Sequence, residues 1–233
     1  MDNLHIHQGK VFKLHVKDNV NNKKLEYFCR KNNINYLSSD ICSGFAKNNN
    51  IATSSINKMF YVDSDDYYLF INPDILIEYK KINQLSSILE KFNYDLFTID
   101  LFKDEKMSIR DPFVRNFPNI LDFFTSYFFH FNPSIIDRSN INVHKSIDWC
   151  AGSFLGIKRY VFESLGGFDE KFFMYCEDID LCFRARKKGY KLFYIPEIKA
   201  VHFCQSDNRK LFSKNFIYHV KSIIYMYYKK FTG

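Results

Sequence analysis

Apolar and polar residues recur with clear periods along the first hundred residues of the chain. Residues 10–19 (KVFKLHVKDN) alternate apolar and polar side chains, which predicts a half-exposed strand. The segments that follow predict a helix over 23–32, a strand over 34–39, a glycine-bearing loop and helix over 43–60, a buried parallel strand over 66–74, a helix over about 82–92 and a strand over 94–102. This alternation predicts an α/β fold with helices on both faces of a sheet.

The second half of the chain is richer in long aromatic and apolar segments. Its pattern predicts a helix over 117–131, a buried strand over 147–159, a turn-rich loop over 166–173, a helix from Glu177 and a strand over 191–196. The sequence shows neither internal repeats nor flexible linkers, so one domain is expected.

Composition and charge narrow the classes of function. The chain has 233 residues, 46% of them hydrophobic and 25% charged, which is typical of a globular protein. The net charge of +7 indicates an anionic partner. Lysines gather at the ends, whereas residues 63–66 (DSDD) and 177–180 (EDID) make the centre acidic. This favours a cleft that handles phosphates through a metal, and we expect no nucleic-acid partner.

The cysteines and the hydropathy indicate where the protein works. No CxxC pair and no secretory signal is found, so the six cysteines are expected to be reduced, mostly buried thiols of a cytoplasmic protein. No apolar run approaches the ~18 residues that a membrane-spanning helix needs.

The acidic segment 177–180 is the main candidate for chemistry. A helix from Glu177 would place Asp178, Leu181, Cys182 and Ala185 on one face, and Glu177, Asp180, Arg184 and Lys188 on another. The second set is typical of a solvated helix start with an Asp180–Arg184 ion pair. Asp178 instead heads the apolar face, so it is either a structural residue or a partly desolvated general base. A zinc site with Cys176 and Cys182 is disfavoured by their spacing.

Chain geometry brings a histidine back to this acidic segment. A helix over 178–188 covers about 16 Å, and a strand from 191 returns at about 3.3 Å per residue. His202 would then lie near Asp178, either as a core histidine or as a metal ligand. Asp74, in the Asn-Pro-Asp that ends the strand over 66–74, could share a divalent cation with it.

Several segments together resemble a known enzyme family. Residues 148–203 (DWCAGSFLGIKRYVFESLGGFDEKFFMYCEDIDLCFRARKKGYKLFYIPEIKAVHF) are similar to the C-terminal half of family 2 glycosyltransferases with a GT-A fold. SGFAKNNNIA (43–52), YYLFINPDI (67–75) and VRNFPNILDFF (114–124) resemble further segments of that family. The resemblance covers residues 10 to 230, and bacterial rhamnosyltransferases of O-antigen and cell-wall assembly are the most similar members.

The resemblance implies a reaction and a place in the cell. The expected reaction is inverting transfer of L-rhamnose from dTDP-L-rhamnose, with Mg²⁺ or Mn²⁺, to a lipid-linked sugar of the GlcNAc-diphospho-undecaprenol type in surface polysaccharide biosynthesis. Another nucleotide-sugar donor is the alternative within the same class. The protein would work in the cytoplasm, peripherally associated with the inner face of the bacterial cell membrane.

The resemblance also implies a single GT-A domain over 1–233 with a mixed sheet. It divides into a nucleotide-sugar-binding half (1–105), an acceptor and catalytic half (106–207) and a basic aromatic helix (208–233). The family's first strand is expected to be missing before residue 10, which leaves a truncated, inactive remnant as a further hypothesis.

Carried over position by position, the resemblance assigns roles to individual residues. Asp178 matches the catalytic base, with Glu177 beside it, and Asp74 and His202 match metal ligands. Asn72 stands where many relatives carry the first acid of the metal motif. Asp18 matches the acid that binds the donor's base, and Gly44, Asn49 and Asn50 lie where the family lines the donor pocket. Asp148 and Trp149 are candidate acceptor contacts, with a core role as the alternative for Trp149.

The C-terminal segment 210–230 has an amphipathic pattern. Its apolar stripe consists of Phe212, Phe216, Val220, Ile223, Ile224 and Tyr227, with lysines around it. It predicts a helix that packs on the domain, lies on the cytoplasmic membrane surface, or does both through different faces.

Overall fold

Strands from both halves of the chain meet in a six-stranded mixed sheet. The computed structural model describes residues 11–39, 42–129, 131–203 and 214–232. The strands are β1 (His15–Asp18), β2 (Asn35–Ser38), β3 (Tyr67–Ile71), β4 (Ile75–Leu76), β5 (Leu96–Phe102), β6 (Val114–Arg115), β7 (Lys145–Ile147), β8 (Trp149–Cys150), β9 (Phe154–Lys158) and β10 (Leu192–His202). The helices are α1 (Lys23–Lys31), α2 (Phe45–Met59), α3 (Tyr79–Phe92), α4 (Ile120–Phe128), α5 (Arg159–Ser164), α6 (Glu177–Lys187) and α7 (Lys214–Thr232).

The order of the central sheet is β3-β9-β5-β10-β4, and β7 also pairs with β10. β5 and β10 run parallel, whereas β9 runs antiparallel to both β3 and β5. Every residue of β5 and of β9 is buried, so both faces of the sheet are covered at its centre. The predicted α/β class with a mixed sheet is confirmed.

The strand that precedes the Asn-Pro-Asp segment differs from its prediction. We expected a buried parallel strand over 66–74, but β3 is shorter and pairs antiparallel with β9. Its residues alternate between buried and half-buried, because it lies at the end of the strand order rather than in the middle. The half-buried Tyr67 keeps its hydroxyl satisfied by donating to the carbonyl of Tyr94 at 2.6 Å.

The predicted strand over 147–159 is broken into β8 and β9. The break lies at Gly152, where a Cβ atom would come within 2.9 Å of the Phe45 ring. The absent side chain therefore lets the start of α2 approach this turn. β8 pairs with β6 in a small separate sheet, while β9 continues in the central sheet.

The N-terminal strands form a unit of their own. β1 and β2 pair in parallel, from His15 opposite Asn35 to Asp18 opposite Ser38. α1 connects them, and its first turn is capped by the Asn22 side chain, which accepts hydrogen bonds from the backbone N–H groups of Lys24 and Leu25.

The C-terminal helix α7 packs on the domain. Ser222 is buried in this helix, and its hydroxyl donates to the carbonyl of Met174 at 2.8 Å, in the loop before α6. Residues 210–213 of the predicted helix lie outside the described residues. None of the helices in the described ranges is long and apolar enough to cross a membrane.

The thiol prediction is confirmed for the described cysteines. Cys29, Cys42, Cys150, Cys176 and Cys182 are all free, and only Cys42 among them is exposed. Cys204 lies outside the described residues.

Candidate active site

Two strand pairings bring the Asn-Pro-Asp segment to the same edge as the end of β10. The backbone N–H of Asn72 donates to the carbonyl of Ser153 at 2.9 Å. β4 then pairs with the end of β10, where Ile75 lies opposite His202. The N–H of Phe203 closes this arrangement by donating to the carbonyl of Asp74 at 3.0 Å.

His202 lies between two carboxylates at this edge. Its Nε2 is 3.3 Å from Oδ1 of Asp74, and its Nδ1 is 2.6 Å from Oδ2 of Asp111. Burial opposes protonation of the ring, but the hydrogen bond and charge of Asp111, followed by those of Asp74, outweigh it and raise the pKa of His202. The predicted proximity of Asp74 and His202 is therefore found, whereas sequence reasoning missed Asp111.

Asp74 and His202 have a separation that suits two neighbouring ligands of one ion. An imidazole nitrogen and a carboxylate oxygen, donor types that Mg²⁺ and Mn²⁺ accept, lie 3.3 Å apart here. In the ranges that the structure describes, no group of three or more His, Cys, Asp or Glu side chains is arranged to hold a metal. The residues thus fit an ion that takes its remaining ligands from substrate oxygens and water.

Helix α6 begins with the two candidate catalytic acids, after an unusual turn. Tyr175 and Cys176 both have positive φ, 70° and 65°. This backbone conformation is costly for residues other than glycine, and such strain is frequent at functional sites. The turn reverses the chain so that α6 starts at Glu177, as the sequence predicted.

Asp178 is buried against the turn between β8 and β9. Its Oδ2 accepts a hydrogen bond from the N–H of Gly152 at 3.0 Å, and its Oδ1 accepts one from Ile179 at 2.8 Å. Burial raises the pKa of Asp178, and these two backbone donors partly offset that effect. Because Asn72 bonds to Ser153 and Asp178 bonds to Gly152, adjacent residues link the Asn-Pro-Asp segment to the acidic helix.

Glu177 and Asp180 correct the expectation of a solvated face. Both are 5% exposed. The predicted Asp180–Arg184 ion pair is confirmed at 2.7 Å, and Asp180 also forms an ion pair with Lys229 of α7 at 2.7 Å. Helix α7 therefore covers this face at Asp180, whereas Lys188, on the same face, is exposed.

Glu177 keeps one carboxylate oxygen without a partner among the described residues. This oxygen, Oε2, is buried and accepts no hydrogen bond there. Burial, and next the charge of Asp178, raise the pKa of Glu177 well above its usual range. A proton held by one carboxyl group of this pair would favour the ionised form of the other.

We predict that Glu177→Gln stabilises the protein and that the gain grows with pH. A raised folded-state pKa means that the folded protein retains a proton that the unfolded chain releases, so wild-type stability falls as pH rises above the ordinary glutamate pKa of about 4.3. A neutral amide removes that loss. Thermal unfolding from pH 4 to 9 should show the two midpoints converging at acidic pH and separating above it. Glu90→Gln, on an exposed position, is the control; equal midpoints for Glu177→Gln and wild type at every pH would contradict the prediction.

The predicted donor-pocket residues on α2 are engaged within the protein. At Gly44, a Cβ atom would lie 1.9 Å from the carbonyl oxygen of Phe173, so only glycine allows this contact with the loop before α6. The Asn49 amide donates to the Phe45 carbonyl at 3.0 Å. The Asn50 amide donates to the carbonyl of Phe168 at 2.8 Å and accepts from its N–H at 3.0 Å. Asn49 thus bonds within α2, whereas Gly44 and the Asn50 side chain connect α2 to the loop that leads into α6.

Asp18 ends β1, as predicted, and its carboxylate has three donors within the protein. The N–H groups of Val20 and Asn22 donate to it at 2.9 and 2.6 Å, and the Tyr36 hydroxyl donates at 2.7 Å. The Tyr36 hydrogen bond is the main cause that lowers the pKa of Asp18. Asp18 therefore stabilises the turn between β1 and α1.

The two candidate acceptor residues have different surroundings. Trp149 is buried in the core, donates through Nε1 to the carbonyl of Asn116 at 2.8 Å, and has the Arg115 guanidinium 5.4 Å from its ring centre. The core alternative for Trp149 is what the structure shows. Asp148 is half-buried, accepts from the N–H of Phe117 at 2.9 Å and pairs with Arg186.

Several known proteins are similar to this chain in sequence or in fold. No protein-family model matches the chain. The rhamnosyltransferase WbbL of Escherichia coli K12 is 38% identical over 91% of this chain and 80% of its own length. The N-acetylglucosaminyl-diphospho-decaprenol L-rhamnosyltransferase of Mycobacterium tuberculosis is 41% identical over 58 residues, which are 25% of this chain and 19% of that protein. Among solved structures, GalNAc-T7 with UDP, GalNAc and Mn²⁺ has a TM-score of 0.56 at 14% identity, over 88% of this chain and 40% of that one.

Proposed function

Since the chain belongs to the family 2 glycosyltransferases with a GT-A fold, the family of its rhamnosyltransferase relatives, we propose that it transfers L-rhamnose from dTDP-L-rhamnose to a lipid-linked sugar. The acceptor is of the GlcNAc-diphospho-undecaprenol type. The observation that carries this proposal is the 38% identity to a rhamnosyltransferase over 91% of the chain. The name of the mycobacterial relative supports the acceptor class.

Asp178 is the base in this reaction. It takes the proton of the acceptor hydroxyl while that oxygen bonds to the anomeric carbon of the donor and dTDP departs from the opposite side. Two features support the role: burial raises the pKa of Asp178, and the N–H groups of Gly152 and Ile179 hold its carboxylate in one orientation. Glu177 lies beside it, and its own proton would keep Asp178 ionised.

Asp74 and His202 are the residues that would hold Mg²⁺ or Mn²⁺. When bound, the ion offsets the negative charge that grows on the departing nucleotide. The 3.3 Å separation of the two side chains supports this assignment, and so does the Mn²⁺ in the GalNAc-T7 structure. Asn72 precedes Asp74 by two residues, and we assign it to the donor because of this place in the Asn-Pro-Asp segment.

The remaining donor contacts follow the placement of the predicted residues. We assign Asp18 to the donor's base because it ends β1 at its carboxyl end, the edge at which α/β sheets bind ligands. Gly44 and Asn50 join α2 to the loop before α6, Asn49 bonds within α2, and we assign all three to the wall of the donor pocket. Asp148 remains the candidate contact for the acceptor.

The outer stripe of α7 is the proposed contact with the cytoplasmic membrane surface. Ser222 and Met226 face the domain, whereas the opposite stripe consists of Lys214, Ile217, Lys221, Ile224 and Tyr228. Ile224 and Tyr228 are both 64% exposed. Apolar and basic side chains that alternate on one helical face suit an anionic bilayer, where the lipid-linked acceptor resides. α7 thus packs on the domain through one face and exposes the opposite face.

We expect Ile224→Ser to weaken binding to anionic vesicles by about 10–150-fold, because an isoleucine that enters the interface contributes about 1.5–3 kcal/mol. Pelleting with phosphatidylglycerol–phosphatidylethanolamine vesicles at low salt measures the effect. Ile109→Ser, at an isoleucine that is also exposed but outside α7, is the matched control. If neither wild type nor the control pelleted with these vesicles, the membrane contact would be refuted.

The function is tested with a panel of donors. The purified chain is incubated with Mn²⁺, a GlcNAc-diphospho-lipid acceptor and dTDP-L-rhamnose, UDP-glucose or UDP-galactofuranose, and the lipid product is identified by mass spectrometry. Rhamnosylated lipid from dTDP-L-rhamnose alone is the expected result. A product with a UDP-sugar only would keep the enzyme class and replace the donor, and no product with any donor would reject the proposal.

A further inference from the structure

His202 has a buried side and an accessible side. Asp111 on the Nδ1 side has a side chain that is 9% exposed, whereas Asp74 on the Nε2 side is 30% exposed. Nε2 therefore faces the more exposed of the two carboxylates, and Nδ1 faces the buried one.

The hydrogen bond to Asp111 makes Nδ1 of His202 a donor. The 2.6 Å distance between Nδ1 and Oδ2 is that of a short hydrogen bond, and an ionised carboxylate can only accept. Nδ1 must therefore donate. Nε2, on the opposite side of the ring, then faces Asp74 at 3.3 Å and is the nitrogen that an ion can bind.

The backbone fixes Asp111 on both sides. Its N–H donates to the carbonyl of Leu101 at 2.9 Å, at the end of β5, and its own carbonyl accepts from the buried Arg138 at 2.7 Å. Asp111 is thus attached to the central sheet next to β10, which carries His202. A carboxylate held in this way restricts rotation of the imidazole.

We propose that Asp111 is a positioning residue, which orients His202 and keeps its Nε2 available to the divalent ion that Asp74 also binds. The inference rests on the ion proposed above and adds a residue that binds neither substrate nor metal. Carboxylates that accept a hydrogen bond from a metal-binding histidine typically change metal affinity 10–100-fold when removed.

The test is a titration of the purified full chain with Mn²⁺ alone, followed by the electron paramagnetic resonance signal of free Mn²⁺. Asp111→Ala should raise the Mn²⁺ dissociation constant about 10–100-fold. Asp111→Asn, which keeps a neutral acceptor oxygen in the same place, should fall between Asp111→Ala and wild type. Glu105→Gln, an equal change of charge on an exposed residue of the loop before Asp111, should bind Mn²⁺ as wild type does. Circular dichroism and the unfolding midpoint report whether each variant is folded.

The transfer reaction gives a second readout. In Asp111→Asn the concentration of Mn²⁺ that gives half-maximal rate should rise, while kcat at saturating Mn²⁺ stays near the wild-type value. A variant that only disturbed folding would lower kcat at every Mn²⁺ concentration.

The outcomes separate this inference from the proposed function. If Asp74→Asn and His202→Asn weaken Mn²⁺ binding but both Asp111 variants bind as wild type does, the positioning role is overturned and the metal site stands. If neither ligand variant changes Mn²⁺ binding, the ion lies elsewhere and both assignments fail. Rhamnosyl transfer by the wild-type protein tests the function independently of either result.

Discussion

Replacing Asp178 by asparagine should lower kcat of rhamnosyl transfer by about 10²–10⁴-fold, the usual contribution of a general base. Asparagine has nearly the same shape and can still accept a hydrogen bond from Gly152, so the start of α6 should keep its structure. It cannot take a proton from the acceptor hydroxyl. The defect should therefore appear in kcat, with little change in the affinity for dTDP-L-rhamnose.

Two comparisons make this result specific. Glu90→Gln, on an exposed position of α3, should retain the wild-type kcat. The affinity for dTDP, measured by calorimetry, should be the same in Asp178→Asn and in wild type. Undiminished kcat in Asp178→Asn would remove this residue as the base and leave Glu177 as the remaining carboxylate of the pair.

The largest effect on stability is expected at Arg138. Its side chain and that of Asp100 are both 1% exposed, and Nε of Arg138 lies 3.1 Å from Oδ1 of Asp100. The guanidinium also donates to the carbonyl of Asp111 at 2.7 Å. Arg138→Met would leave a buried carboxylate without its main partner, and such a loss costs about 3–5 kcal/mol. Denaturant unfolding should show the decrease as a lower midpoint with an unchanged slope.

Arg110 provides the matched control on the same carboxylate. It lies 3.3 Å from Oδ2 of Asp100 but is 38% exposed. Solvent screens this pair, so Arg110→Met should cost less than about 1 kcal/mol. The double variant Asp100→Leu, Arg138→Met should regain most of the loss, because it leaves no unpaired buried charge. Equal costs for Arg110→Met and Arg138→Met would contradict the assigned roles.

The start and phase of α6 were predictable because they depend on neighbouring residues. The apolar spacing from Asp178 to Ala185 and the acidic first turn define this helix locally. The Asp180–Arg184 pair has the same origin, since it joins residues four positions apart.

The burial of Glu177 and Asp180 was not predictable from the same pattern. Asp180 is paired with Lys229, which is far away in the sequence and belongs to α7. The pattern of one helix predicts a solvent-exposed charged face even where a charged residue from another element pairs with it. The pairing of β3 was missed for a similar reason, because its partner β9 belongs to the other half of the chain.

Asp111 could not be found by matching single residues to the motifs of the family. It precedes a proline in a loop and carries no spacing that connects it with His202, 91 positions later. Only the adjacent placement of β5 and β10 brings the two together. Trp149 is a comparable case, because an aromatic residue beside a candidate site can equally belong to the core.

The configuration of the product at its anomeric carbon tests the central claim most directly. A single displacement with Asp178 as base inverts the anomeric carbon of the donor, because the acceptor attacks opposite the departing dTDP. Nuclear magnetic resonance of the rhamnosylated acceptor should therefore show the configuration opposite to that of dTDP-L-rhamnose. Retention of the donor's configuration would exclude a single in-line displacement and would contradict the account.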